Sequence, residues 1–77
     1  MYEGGWAEGL KEGEGRYTYG PDEYYNGDWH EDLKCGSGVY HFPGGVYNGM
    51  WARNMREGKG SLKLSNGTEF RGTFENN

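Results

Sequence analysis

His30, Cys35 and His41 are the side chains of this sequence best suited to bind a metal or to act as a nucleophile and base. Their spacing matches no zinc pattern: His30 and Cys35 fall in one polar stretch, and His41 falls on a predicted strand. Gly58-Lys59-Gly60-Ser61 has a superficial likeness to a phosphate loop. A working phosphate loop needs a longer glycine frame followed by a helix, and neither is present. Asn66-Gly67-Thr68 fits a glycosylation acceptor, but no secretory signal accompanies it, so it reads as turn chemistry. The carboxylates lie in predicted loops or on a solvated face, where nothing shifts them toward acid–base work. The expectation is therefore a protein that is not an enzyme, with no metal, no cofactor and no small-molecule substrate.

Composition narrows the partner classes. The net charge of −4 hides a segregation. Residues up to Asp32 hold nine acids against Lys11 and Arg16, whereas from Leu33 onward six bases face Glu57, Glu69 and Glu75. Neither half is basic enough for nucleic acid to be the expected partner. Cys35 is the only cysteine, so no internal disulfide can form. No apolar run approaches a signal-peptide core or a membrane span, and a cytoplasmic location is the expectation. Seven Tyr, three Trp and three Phe in 77 residues argue against disorder, the more so because all but Tyr24 fall on a regular frame. A chain this short buries only about 60–65% of its unfolded surface, so the fold is expected to lean on a partner or on further repeats.

The frame is a repeat. Tyr25, Gly27 and Trp29, followed by Gly36 and Gly38, are preceded by Tyr2, Gly4, Trp6, Gly13 and Gly15. They are followed by Tyr47, Gly49, Trp51, Gly58 and Gly60, and the frame starts again at Phe70, Gly72 and Phe74. Units so defined span approximately 2–24, 25–46, 47–69 and a partial 70–77 within one domain, 1–77. Large and small residues alternate within each unit, which predicts strands with Tyr2, Gly4 and Trp6 on one face. The first unit is predicted as a strand from Tyr2 to Trp6, a loop from Ala7 to Glu12, and a strand from Gly13 to about Tyr19. Later units place strands at Tyr25–Trp29, Gly38–Phe42, Tyr47–Trp51, Gly60–Leu64 and Phe70–Phe74, with residues 75–77 frayed. Pro21 and Pro43-Gly44-Gly45 mark turns between units, and Asn66-Gly67 predicts a two-residue hairpin loop. The fold class is thus all-β: an elongated, single-layer, twisted antiparallel meander of stacked β-hairpins with about seven strands. Glycine two residues from Tyr and Trp leaves bare backbone for a ring to cover, which explains why so many strand glycines are affordable.

The frame Tyr-x-Gly-x-Trp, with Gly-x-Gly at a fixed offset, resembles the MORN repeat (membrane occupation and recognition nexus) over nearly the whole chain. The resemblance implies an elongated sheet of stacked hairpins and a scaffold role in cytoskeletal, ciliary or axonemal, or membrane-junction assemblies. Three departures stand out. Gly9 becomes Asp32 and Asn54 in the later units, both types that tolerate left-handed backbone angles. Many units of the family place His before the Gly-x-Gly pair, where this chain has Glu12, Cys35 and Glu57; the two acids disfavour anionic lipid. The fourth unit stops after one strand.

Two surfaces are expected to bind partners. The first is an aromatic face of Tyr2, Tyr17, Tyr19, Tyr25, Tyr40, Phe42 and Tyr47, able to receive a helix or extended peptide, with Trp6, Trp29, Trp51, Phe70 and Phe74 as the repeat core. The second is the pair of sheet edges, open to strand addition. The leading expectation is a non-catalytic protein-binding scaffold module of a cytoskeletal or ciliary assembly. One alternative is a peripheral adaptor placing Arg53, Arg56, Lys59, Lys63 and Arg71 against an anionic membrane. Another is a regulatory segment of an enzyme whose catalytic domain lies elsewhere.

Overall fold

In the computed structural model, residues 1–75 are described, and within them the chain is all strand and turn. The expected fraying at Asn76 and Asn77 falls outside the described residues. Strands β1 (Tyr2–Ala7), β2 (Leu10–Gly20), β3 (Glu23–His30), β4 (Leu33–Phe42), β5 (Gly45–Ala52), β6 (Met55–Leu64) and β7 (Glu69–Phe74) pair in sequence order. Every pairing is antiparallel, giving one open seven-stranded sheet. Its extents are 40 × 27 × 15 Å, close to a single layer of sheet with its side chains.

The register explains the repeat. Gly4, Gly15, Gly27, Gly38, Gly49, Gly60 and Gly72 pair successively, one from each strand, and form a row without side chains across the whole sheet. Beside it runs a row of large residues on the same face: Tyr2, Tyr17, Tyr25, Tyr40, Tyr47, Leu62 and Phe70. Tyr2, Tyr25 and Tyr47 lean diagonally over the glycine row. A Cβ at Gly15, Gly38 or Gly60 would collide with the phenol of Tyr2, Tyr25 or Tyr47 respectively. Each phenol then donates a hydrogen bond to a carbonyl beyond the hollow: Tyr2 to Gly5 (2.9 Å), Tyr25 to Asp28 (3.0 Å) and Tyr47 to Met50 (2.9 Å). The ring supplies buried area and its hydroxyl finds a partner.

Tryptophan links one unit to the one before. The indole Nε1–H of Trp29 donates to the Gly15 carbonyl (3.1 Å), and that of Trp51 to the Gly38 carbonyl (3.2 Å). The rings make an unbroken edge-to-face series, Trp6–Tyr2–Trp29–Tyr25–Trp51–Tyr47–Phe74, with centroids 4.9 to 5.6 Å apart. These are the favoured geometries for aromatic quadrupoles.

The hairpin loops are shorter than the sequence suggests. Ala7–Glu12 is not a loop: Glu8-Gly9 alone makes the turn, and β2 already begins at Leu10. Glu31-Asp32 and Arg53-Asn54 do the same in the next two units. In all three turns both residues have positive φ, between 48° and 80°, the backbone that matches the twist of a two-residue hairpin. The second strand of each hairpin instead absorbs two extra residues as a bulge, at Gly13 (φ 78°), Gly36 (φ 60°) and Gly58 (φ 93°). The Gly-x-Gly signature thus combines a bulge glycine with a glycine beneath a ring. At the other end, Asn66-Gly67 marks the correct turn but the link spans residues 65–68. Gly67 N–H bonds the Leu64 carbonyl (2.9 Å), and Asn66 Oδ1 accepts from Thr68 N–H (2.9 Å).

Candidate functional site

Burial separates the predicted aromatic face into two sets. Tyr25 and Tyr47 are completely buried, so they belong to the core with Trp29 and Trp51 and offer no ring to a partner. Conversely, Trp6 and Phe70, expected in the repeat core, are 58% and 55% exposed. Each belongs to an edge strand, where no further strand covers it. Tyr2, Tyr17, Tyr40, Leu62 and Phe74 are half-buried against the core, and Tyr19 is exposed. Tyr19 meets Tyr17 at 4.6 Å and Tyr40 at 6.2 Å, and Tyr40 stacks on Phe42 at 5.3 Å. The part of this face left uncovered by the core is therefore Tyr17, Tyr19, Tyr40, Phe42 and Leu62, with Phe70 and Phe74 at the β7 end.

Three cations are set into this face at equivalent places in the three units. The Lys11 ammonium lies 5.3 to 5.6 Å from the ring centroids of Tyr2, Tyr17 and Trp29. Lys34 lies 5.4 to 5.8 Å from Tyr19, Tyr25, Tyr40 and Trp51. Arg56 lies over Tyr47 (5.6 Å) and Phe74 (5.8 Å). Cations at this range of an aromatic face are held by the ring quadrupole. The sequence reading missed Lys11 and Lys34 because it assigned them to loops; the two-residue turns put them on strands opposite Trp6 and Trp29. A tightened hairpin with the basic residue two places after the turn was the signal available. Near Arg56, a groove of about 450 Å³ opens along Leu62, Phe70 and Phe74, where Leu62 stands in place of the Tyr17 and Tyr40 rings.

The proposed lipid-facing residues do not form one surface. Arg56 belongs to the aromatic face, Arg53 sits in the β5–β6 turn, and Lys59, Lys63 and Arg71 share the reverse face. That reverse face also carries Tyr24, sandwiched by Arg16 (4.1 Å to the ring centroid) and the stacked ring of His41 (5.0 Å).

Burial, with Asp28 nearby, pushes the Cys35 thiol up, away from the thiolate that a nucleophile or metal ligand requires. His41 Nδ1 lies 3.1 Å from the Asp22 carbonyl, while His30 is held between Glu12 (2.9 Å) and Glu31 (3.1 Å). The hydrogen bond between His30 and Glu12 raises the imidazole above its ordinary value and lowers the carboxyl below its own. Among the described residues no group of three His, Cys, Asp or Glu side chains gathers to hold a metal. Gly58-Lys59-Gly60-Ser61 is bulged strand. Tyr40 donates to Glu23, and burial together with that carboxylate pushes the phenol up to about 12. No helix among the described residues is long and apolar enough to cross a membrane.

Comparison with known proteins gives one result in agreement with this architecture. The family model described as MORN repeat matches three consecutive stretches, residues 2–22, 25–46 and 47–69. No curated protein matches the chain.

Proposed function

The chain belongs to the MORN repeat family, whose repeats are in general non-catalytic modules for binding proteins or membranes, and from that premise we propose a protein-binding scaffold module of a cytoskeletal or ciliary assembly. Its aromatic face receives a helix or an extended segment of the partner. The observation that carries this reading is the half-buried row of Tyr17, Tyr40, Phe42 and Leu62, which the single layer leaves uncovered on its outer side. Aromatic side chains with one wet face and one packed face are the usual anchors of protein interfaces.

Photo-crosslinking in cells tests it. Benzoylphenylalanine placed at Phe42 or Phe70 on the aromatic face is compared with the same group at Thr18 or Ser61 on the reverse face. Adducts with cytoskeletal or ciliary proteins are expected from the first pair alone. Equal labelling from both faces would remove the support.

A second reading, the peripheral membrane adaptor, is favoured by Lys59, Lys63 and Arg71 sharing one face. Sedimentation with phosphatidylserine vesicles at low salt, abolished at high salt, would support it. No sedimentation at low salt would end it.

A further inference from the structure

The first two units solve one backbone problem in two ways, and the difference leaves a charge unmatched. Asp32 accepts a hydrogen bond from Lys11 N–H (2.6 Å), and the same Oδ1 lies 3.4 Å from the Lys11 ammonium. Asn54 is the counterpart one unit later: it accepts from Lys34 N–H (2.8 Å) but brings no charge. Both turn residues have φ of 69°, so the backbone is the same and only the counterion differs.

Lys34 is half-buried among four rings, and among the described residues no carboxylate lies within ion-pair distance of it. Its ammonium donates instead to the Tyr19 hydroxyl (3.0 Å), leaving that phenol's own proton to donate outward. Ammonium and phenol together present two donors at a separation suited to the two oxygens of one carboxylate. The third unit does not repeat the pair, since the residue equivalent to Tyr19 is Phe42.

We infer that Lys34 and Tyr19 form the anchoring point for an aspartate or glutamate of an acidic, amphipathic partner segment lying along the aromatic face. This rests on the reading of that face as the docking surface and adds the partner's chemistry. Arg56 occupies the equivalent place two strands further on, about 9.6 Å away by strand spacing. Two acids seven residues apart on a helix are separated by about 10.5 Å and match it. Leucines between them cover Tyr40 and Leu62.

The test uses the full chain and a fluorescein-labelled helical peptide with glutamates seven residues apart and leucines between them. An otherwise identical peptide carries glutamine at the two positions. Fluorescence anisotropy is expected to show the glutamate peptide binding about ten-fold more tightly than the glutamine one. Lys34→Met and Asn54→Asp are each expected to weaken the glutamate peptide about five-fold or more and to leave the glutamine peptide unchanged. Asn54→Asp is the sharper variant, because it supplies an internal counterion in a turn that already accepts Asp at the equivalent place. Glutamate binding at wild-type strength in both variants overturns the inference. Equal binding of the two peptides to the aromatic face, read by amide chemical shifts, also overturns it but leaves the docking surface standing. Absence of binding by either peptide, or shifts confined to Lys59, Lys63 and Arg71, overturns both.

Discussion

Tyr47 and Phe70 hold the same place in successive units, yet one is fully buried and the other is 55% exposed. Trp51 and Trp6 differ in the same way, at 6% and 58% exposed. The difference lies in the neighbours. Tyr47 rests over Gly60 of the following strand, whereas the Cβ position of Gly72, beyond which Phe70 would rest, has nothing within 4 Å. Trp51 reaches back to the Gly38 carbonyl of the preceding unit, whereas Trp6 lies on the edge strand β1, with no strand on its outer side among the described residues. A hairpin of this fold is therefore not self-sufficient. Its stability is lodged in the junctions between units, as in other quasi-one-dimensional arrays.

Substitutions that treat interior and edge alike are the way to break this comparison. The largest effect is expected at Gly38→Val, where any side chain meets the Tyr25 phenol. Circular dichroism should show no cooperative unfolding transition at 25 °C, because the core ring loses its seat. Next come Tyr47→Ala and Phe70→Ala. Urea denaturation should show a loss of about 3–5 kcal/mol for the interior ring and under about 1 kcal/mol for the edge ring. Equal losses would mean that units are stable by themselves. Smaller again is Trp51→Phe, which keeps a ring but removes the indole donor to Gly38 and should cost about 1–3 kcal/mol. Trp6→Phe should leave the denaturation midpoint within error, since among the described residues the Trp6 indole makes no hydrogen bond.

The smallest effect concerns the exposed clip between the first two units. Glu12 accepts from Glu31 N–H (3.2 Å) and pairs with His30, tying β2 to the turn after β3. His30 is raised, so its contribution is complete below its unfolded value of about 6.5 and fades as pH climbs through the folded one. Glu12 is lowered, so its contribution is complete above about 4.5 and fades as pH falls through the folded value. The difference in melting temperature between the wild type and Glu12→Gln should be greatest between those limits and shrink toward pH 8. A flat difference across that range would remove the charged clip from the account.

Much of this was legible in the chain because the repeat encodes position directly. Tyr, Gly and Trp at alternate places fix strand faces, and a period of 22 or 23 residues fixes the register that aligns the glycines. Turn length was not legible at Glu8, Glu31 and Arg53, since these residue types carry no sign of positive φ. That error hid Lys11 and Lys34, whose place on the aromatic face depends on where the strand resumes. Exposure also escaped the sequence, because Tyr47 and Phe70 differ only in what lies on the next strand.

The bare glycine row also acts as a ruler. With no side chain to interrupt it, each added unit advances the sheet by two strand spacings, about 9.6 Å, whatever residues fill its turns. Length in this architecture is thus quantised: inserting or deleting one unit moves everything beyond it by one fixed step while preserving which face it occupies. A partner gripping two successive anchor points measures that step, and a chain with its units re-spaced would offer the same chemistry at the wrong interval.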